Sequence, residues 1–262
     1  MKKTEILGLA ALTGMLASCG VKTVTSTNLH VIFDNPSPRA MPLALFGEVP
    51  DSLAQALHIT GGIPSSISVV LVEKDGQQLL FDAGNGNEDS QLIPALQELG
   101  VSPDDIDAVF ITHMHGDHIG GLTRNGQKAF TNARLYIPSV ELDAWTQGAE
   151  GVSPNIQALM DAYGENLVKF TITDPLPCGI EAVAAYGHTP GHTLYRLDDA
   201  LIAGDIMHGV ALQMQHPDYS ARFDMDKEQA IASRKAILQL VKEEGWKMHG
   251  MHFPTKDGLT VE

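Results

Sequence analysis

Three histidines and an aspartate fall within six positions at His113-Met114-His115-Gly116-Asp117-His118. Immediately upstream, Asp107-Ala108-Val109-Phe110-Ile111 is a short apolar run rich in β-formers, which predicts a buried strand that ends where the polar residues begin. Imidazoles and carboxylates placed beside a buried strand each need a partner once water is removed. A divalent cation supplies one. Neutral imidazole and carboxylate suit zinc best, and iron or manganese less exclusively. His113 and His115, two apart, can leave an extended segment on the same side. Gly116 is expected to let the backbone turn and aim Asp117 and His118 at a second point nearby, so that one loop serves two cations.

Such a loop needs ligands from elsewhere, and three downstream segments repeat its placement. His188 lies in Gly187-His188-Thr189-Pro190-Gly191-His192-Thr193, just past a predicted strand ending at Ala185. Asp205 follows Leu201-Ile202-Ala203, and His252 follows the strand predicted from Trp246 to Met251. Each is a ligand-type residue where a strand gives way to a turn, so all of them can converge along one edge of paired sheets.

The elements that would carry these turns are legible in outline. Leu29 to Phe33 reads as a first strand, and Ile67–Val72 and Gln78–Phe81 flank a Lys74-Asp75-Gly76 hairpin. Gln91 to Leu99 has helical spacing stopped by Gly100, and Ser102-Pro103-Asp104-Asp105 caps a further turn. Strands are expected at 133–137, 168–172, 179–185 and 193–197, and helices from Ser139 and over 155–163. Asp226 to Glu243 is an amphipathic helix with Ala230, Ile231, Ile237, Leu238 and Val241 on one face. Strands come in two batches, each with helices, which suggests two sheets packed together with helices outside. The Pro-rich loop from Asn35 to Pro50 carries Leu43, Leu45 and Phe46, which either line a pocket or pack under the sheet.

The first twenty residues stand apart from this core. Lys2-Lys3 precede a short apolar stretch from Ile6 to Ala17, the pattern of a secretory signal and too short to span a membrane. Leu16-Ala17-Ser18-Cys19 is similar to a bacterial lipobox, which implies a signal peptide over 1–18, a lipid on Cys19, a small polar tether over 19–28 and one domain over 29–262. Localisation in the bacterial cell envelope follows as an expectation, with the outer membrane suggested by Gly20 rather than aspartate after the cysteine. Cys178 is then the only other cysteine, read as a small buried hydrophobe, so no internal disulfide is expected. The chain has 17 basic and 32 acidic residues, a net charge of −15. That surface repels phosphate backbones, which argues against nucleic acid as a partner and for small neutral or hydrophobic ligands.

Taken together, His-x-His-x-Asp-His, Gly-His-Thr-Pro-Gly-His, Ala203-Gly204-Asp205 and Met251-His252-Phe253-Pro254 resemble the metallo-β-lactamase superfamily over about Ser68 to Pro254. The resemblance implies an α/β fold, a four-layer αββα sandwich, with a two-metal site at its edge. It assigns His113, His115 and His188 to one ion, Asp117, His118 and His252 to the other, and Asp205 to a bridge between them. It gives His192 a structural role beside the site, and Asp82 in Phe-Asp-Ala-Gly a supporting one. Two divalent ions about 3.5 to 4 Å apart can ionise a water near neutral pH and polarise a substrate oxygen, so hydrolysis follows, with Asp117 passing the proton.

Within the superfamily, Asp205 and the lack of a cysteine at that place disfavour β-lactam hydrolysis. Glutathione thioesterases of the superfamily usually carry a C-terminal helical region, whereas only ten residues follow His252. Phe46 to Pro50, Phe223-Asp224-Met225-Asp226 and the helix with Arg234 are similar to the group of methyl parathion hydrolase and the quorum-quenching lactonases. This implies attack on a lactone, ester or phosphotriester. Lactonases often place a tyrosine three residues after the bridging aspartate; here His208 stands there, either as a hydrogen-bond donor to the reacting oxygen or as a cap on the strand. Tyr195 and Tyr219 are other possible donors, and His30, His58, His216 and His249 read as structural or solvent-facing. A β-lactam hydrolase and a metal-loaded envelope binding protein without turnover are the alternatives.

Overall fold

The computed structural model describes residues 27–147 and 152–262, so the expected signal segment, Cys19 and nearly all of the expected tether lie outside the described residues. In chain order the strands are β1 Asn28–Phe33, β2 Arg39–Met41, β3 Ile63–Ser65, β4 Ser68–Lys74, β5 Gln77–Phe81, β6 Ala108–Phe110, β7 Thr123–Arg124, β8 Gln127–Lys128, β9 Arg134–Pro138, β10 Leu167–Phe170, β11 Glu181–Ala184, β12 Thr193–Leu197, β13 Ala200–Gly204 and β14 Lys247–Gly250. The helices are α1 Asp51–Ala56, α2 Leu92–Glu98, α3 Gly116–Ile119, α4 Ser139–Thr146, α5 Pro154–Tyr163, α6 Val210–Gln213 and α7 Lys227–Glu244.

Two sheets form the centre. One has the order β1-β4-β5-β6-β9-β10 and the other β11-β12-β13-β14. Side-chain alternation sorts their residues into layers. Val70, Val72, Leu79, Phe81 and Phe110 face inward onto Tyr195, Leu197 and Ile202 of the second sheet. Their neighbours Val69, Leu71, Leu80 and Val109 face outward onto Leu92 and Leu96 of α2 and Ile156 and Leu159 of α5. Leu194, Leu201 and Ala203 lie under Ile237, Leu238 and Val241 of α7. The result is the four-layer helix-sheet-sheet-helix arrangement expected from the sequence. Because β4 is covered on both faces, it reads as an unbroken apolar run rather than an alternating one.

The local signals act as their chemistry predicts. Asp226 caps α7 by accepting from the Gln229 N–H at 3.0 Å, and Gly245 ends it in the left-handed region at φ 68°. Ser102 and Asp105 form a capping box. The sequence reading does not include α1, α3, α6, β2, β3, β7 or β8; apart from the six-residue α1, these run for two to four residues, too few to establish a period. The loop from Asn35 to Pro50 divides both ways. Phe46 is buried against Ala54, Ile59 and Ile63, while Leu45 packs at the edge of that cluster and also lines a cavity where loops of both sheets meet.

Three expectations need correction. Cys178 is only half-buried, at a turn with φ 54°, where its thiol donates to Gln77 Oε1 at 3.1 Å. Tyr195 is no surface residue and no donor to a reacting oxygen: it is fully buried between the sheets, and its hydroxyl donates to the Ile111 carbonyl at 2.7 Å. Gly116 is not a conformational requirement, since it opens the one-turn helix α3 and a Cβ there would meet nothing within 4 Å. Among the described residues no helix is long and apolar enough to cross a membrane.

Candidate metal centre

The loop after β6 is fixed from beneath by Asp82, which follows β5. Its Oδ1 accepts the Thr112 N–H at 2.8 Å, and its Oδ2 lies 2.8 Å from both Thr112 Oγ1 and His118 Nδ1. The helical turn α3 carries Asp117 and His118 back over this anchor. The two glycines behind it are needed for close approach: a Cβ on Gly120 would meet Asn85 O at 2.0 Å and one on Gly121 would meet Ala83 O at 2.0 Å. The second ligand loop joins the first directly, through the Thr193 N–H to Thr112 O at 2.9 Å.

The predicted ligands converge. His113 Nε2, His115 Nδ1 and His188 Nε2 are mutually 2.9 to 3.0 Å apart. Asp205 sits between them and the rest: Oδ2 is 3.3 Å from His188 Nε2 and 3.3 Å from His252 Nε2, and Oδ1 is 3.2 Å from His118 Nε2. Asp117 Oδ2 is 3.6 Å from His252 Nε2. His113, His115, His188 and Asp205 form one group able to hold a cation, and Asp117, His118 and His252 another. His118 Nε2 and Asp205 Oδ1 are buried and close, yet neither has a hydrogen-bond partner. A pair of buried ligand atoms left in this way fits a cation between them.

The far nitrogens fix the rings. His188 Nδ1 pairs with Asp224 Oδ1 at 3.0 Å, and His252 Nδ1 donates to the Ser66 carbonyl at 2.9 Å. His192 plays the supporting part expected of it, donating from Nδ1 to Ala185 O and accepting the Asp205 N–H at Nε2, both at 3.0 Å. Burial holds His192 neutral, pushing its pKa to about 3, and in the same way holds His113 well below the ordinary range and His115 at about 4. Burial also opposes charge on His188, but Asp205 and Asp224 outweigh it and raise that ring to about 9. Asp205 stays ionised against its burial because His252, His118 and His208 surround it. His113 and His115 thus offer neutral nitrogens, while the buried Asp205 anion draws positive charge onto His118, His188 and His252, charge that a divalent cation in the same place would supply instead.

His208 belongs to this cluster rather than to the strand end. Its Nε2 is 3.1 Å from Asp205 Oδ2, and its ring stacks on His252 at 5.0 Å and leans on His188 at 4.8 Å. Its Nδ1 is buried without a partner. Buried Gln213 fixes the backbone here, with Oε1 accepting the N–H groups of His208 and Gly209 at 2.8 and 2.9 Å. Tyr219 lines a different hollow and His30 and His58 are exposed; none of them reaches the cluster.

Above the ligands opens a cavity of about 410 Å³. Asp117, Asp205, His208 and His252 form its floor; Met41, Pro42, Leu45, Ile67 and Phe223 form apolar walls, with Arg39 at the rim. Sequence reasoning missed Asp224, Gln213 and Glu141. Asp224 was traceable: of the two acids in Asp224-Met225-Asp226 only one can cap α7, so the other needs a separate partner.

The fold agrees with that of known proteins. The sequence model of the Metallo-beta-lactamase superfamily matches residues 62–244. The chain is 29% identical over 185 residues to a ribonuclease Z of Haloferax volcanii, covering 68% of this chain and 51% of that protein, and 23% identical over 160 residues to an N-acyl homoserine lactonase of Bacillus thuringiensis, covering 60% of each. It therefore spans less than two thirds of the length of either relative. Among solved structures, AidC, a dizinc quorum-quenching lactonase in complex with a product, superposes with a TM-score of 0.80 at 23% identity over 89% of this chain and 90% of that one. Since the family match takes in the greater part of the sequence, including the first six of the seven converging side chains, the chain belongs to the metallo-beta-lactamase superfamily.

Proposed function

We propose that this protein is a two-metal hydrolase of small, neutral and largely apolar lactones, esters or phosphotriesters. The observation that carries the reading is the placement of seven ligand-type side chains under an apolar mouth. Two divalent ions, zinc in preference to iron or manganese, would be held by His113, His115 and His188 on one side and Asp117, His118 and His252 on the other, with Asp205 common to both. When bound they supply a water acidic enough to ionise near neutral pH and a Lewis acid for the substrate oxygen.

The chain's own groups do the rest. Asp117, at the boundary of floor and mouth, takes the proton from the attacking water and returns it to the leaving oxygen. His208 offers a ring N–H toward the oxygen on which charge develops, from a position fixed by Gln213 and by its stack on His252. The apolar walls exclude water and seat an acyl or alkyl substituent. The likeness to a quorum-quenching lactonase structure supports a lactone. The likeness to ribonuclease Z favours a phosphodiester as a second reading, against which stand the net charge of −15 and a mouth with one cationic side chain. The lipobox-like Leu16-Ala17-Ser18-Cys19 places this activity at the bacterial envelope in our reading, lipid-anchored through Cys19.

Purified, zinc-loaded protein assayed with an acyl-homoserine lactone, a paraoxon-type triester, a bis(nitrophenyl) phosphate diester and nitrocefin tests the proposal. Turnover of the lactone or triester is expected to dominate. Turnover of the diester or nitrocefin alone would replace the substrate class, and zinc binding without turnover of any of them would make the protein a binder.

A further inference from the structure

Glu141 is wholly buried in the first turn of α4, and among the described residues no cationic side chain pairs with it. Its charge is met by four hydrogen bonds. Oε1 accepts the Met114 N–H at 2.8 Å and the Trp145 Nε1–H at 2.6 Å; Oε2 accepts the Thr189 hydroxyl at 2.7 Å and the Gly191 N–H at 2.9 Å. Met114 stands between His113 and His115, and Thr189 follows His188. Trp145 meets the His115 ring edge-on at 5.7 Å. At Gly191 the approach is so close that a Cβ would lie 2.2 Å from the Glu141 backbone nitrogen. One carboxylate therefore ties together the two loops that carry His113, His115 and His188. The other ligands are anchored elsewhere, His118 on Asp82 and His252 on Ser66.

We propose that Glu141 is a positioning residue for the first ion alone: it sets the spacing of the loops that carry His113, His115 and His188, and the ion held by Asp117, His118 and His252 is independent of it. This rests on the two-metal reading above. A fully hydrogen-bonded buried anion is rigid, because removing any one partner leaves a charge unsatisfied. Glu141→Gln keeps the shape but turns an amide NH₂ toward donors, and the Gly191 N–H cannot reverse its role.

The test measures zinc affinity by chelator competition in two backgrounds that each keep one ion, Asp117→Ala for the first and His115→Ala for the second. Adding Glu141→Gln is expected to weaken zinc binding about 10- to 100-fold in the Asp117→Ala background, and to leave the affinity in the His115→Ala background unchanged. Equal losses in both, or no loss in the first, would overturn the inference. If wild-type protein binds no zinc, the two-metal reading itself fails. Should Glu141→Gln not fold, Trp145→Phe and Thr189→Val each remove one donor and are expected to show the same one-sided loss at smaller size; a two-sided loss or none from both would overturn it equally.

Discussion

The floor and the walls of the cavity are built by opposite means. On and beneath the floor, His118, His188, His252 and Asp205 are all buried, and each is held by a named partner: Asp82, Asp224, Ser66 and His192 in turn. The walls come from the short β2, the turn at Leu43–Phe46 and the Ser220–Met225 loop; Phe223 is 43% exposed and touches the site only through its ring, 5.6 Å from His208. A buried polar network tolerates no loose member, whereas an apolar wall can change shape for the cost of a few contacts. On the function proposed above, chemistry and selectivity are thereby separated in this molecule, the first on sheet edges and the second on short connecting segments.

The sharpest way to break that division is Asp205→Asn. It removes the one oxygen pair shared by both ligand groups and is expected to cost one of the two ions and nearly all turnover, read by metal analysis and rate; two tightly held ions at full rate would end the bridging role. Next comes Asp117→Asn, expected to lower kcat by about 10²- to 10⁴-fold while the first ion stays bound. Asp224→Asn, which leaves His188 without its carboxylate, should weaken metal binding about 10- to 100-fold.

The same variant sharpens the comparison through pH. Burial works against charge on Asp224, but the hydrogen bond from His188 prevails and holds its pKa at about 2, below the usual carboxylate range. A carboxyl depressed in the folded state adds stability that is present above its unfolded value near 4 and is lost as pH falls through 2. Denaturant titration of zinc-free protein between those limits should show a loss on the order of 2 kcal/mol that Asp224→Asn lacks. The smallest effect belongs to the wall. Phe223→Ala should reduce kcat/KM by about 10-fold for a substrate with a long apolar substituent and hardly at all for a short one. An equal loss for both would place Phe223 in the machinery of the floor.

The division also explains what the sequence could reveal. Four ligands lie together at His113 to His118, and the other three follow strands whose apolar runs are unmistakable, so the floor was legible down to individual residues. Support for it was half legible. His192 and Asp82 came from motifs, but Glu141 sits in an ordinary helical turn, and only the folded chain brings Met114, Thr189 and Gly191 to it. The walls were least legible. Leu45 and Phe46 are adjacent apolar residues in one loop, yet one faces the cavity and the other the core, a choice made by a turn too short to show a period. Tyr195 misled for a related reason: a lone tyrosine in a strand says nothing about which layer its ring will enter.

Asp82 takes up a left-handed backbone at φ 60°, which favours glycine over any residue with a side chain. Its carboxylate is nevertheless what fastens Thr112 and His118. Backbone ease and ring support therefore pull against each other at this one codon: glycine there would relax the turn but leave the Thr112 amide and the His118 ring without their acceptor, so the strained residue is the one that holds the loop together.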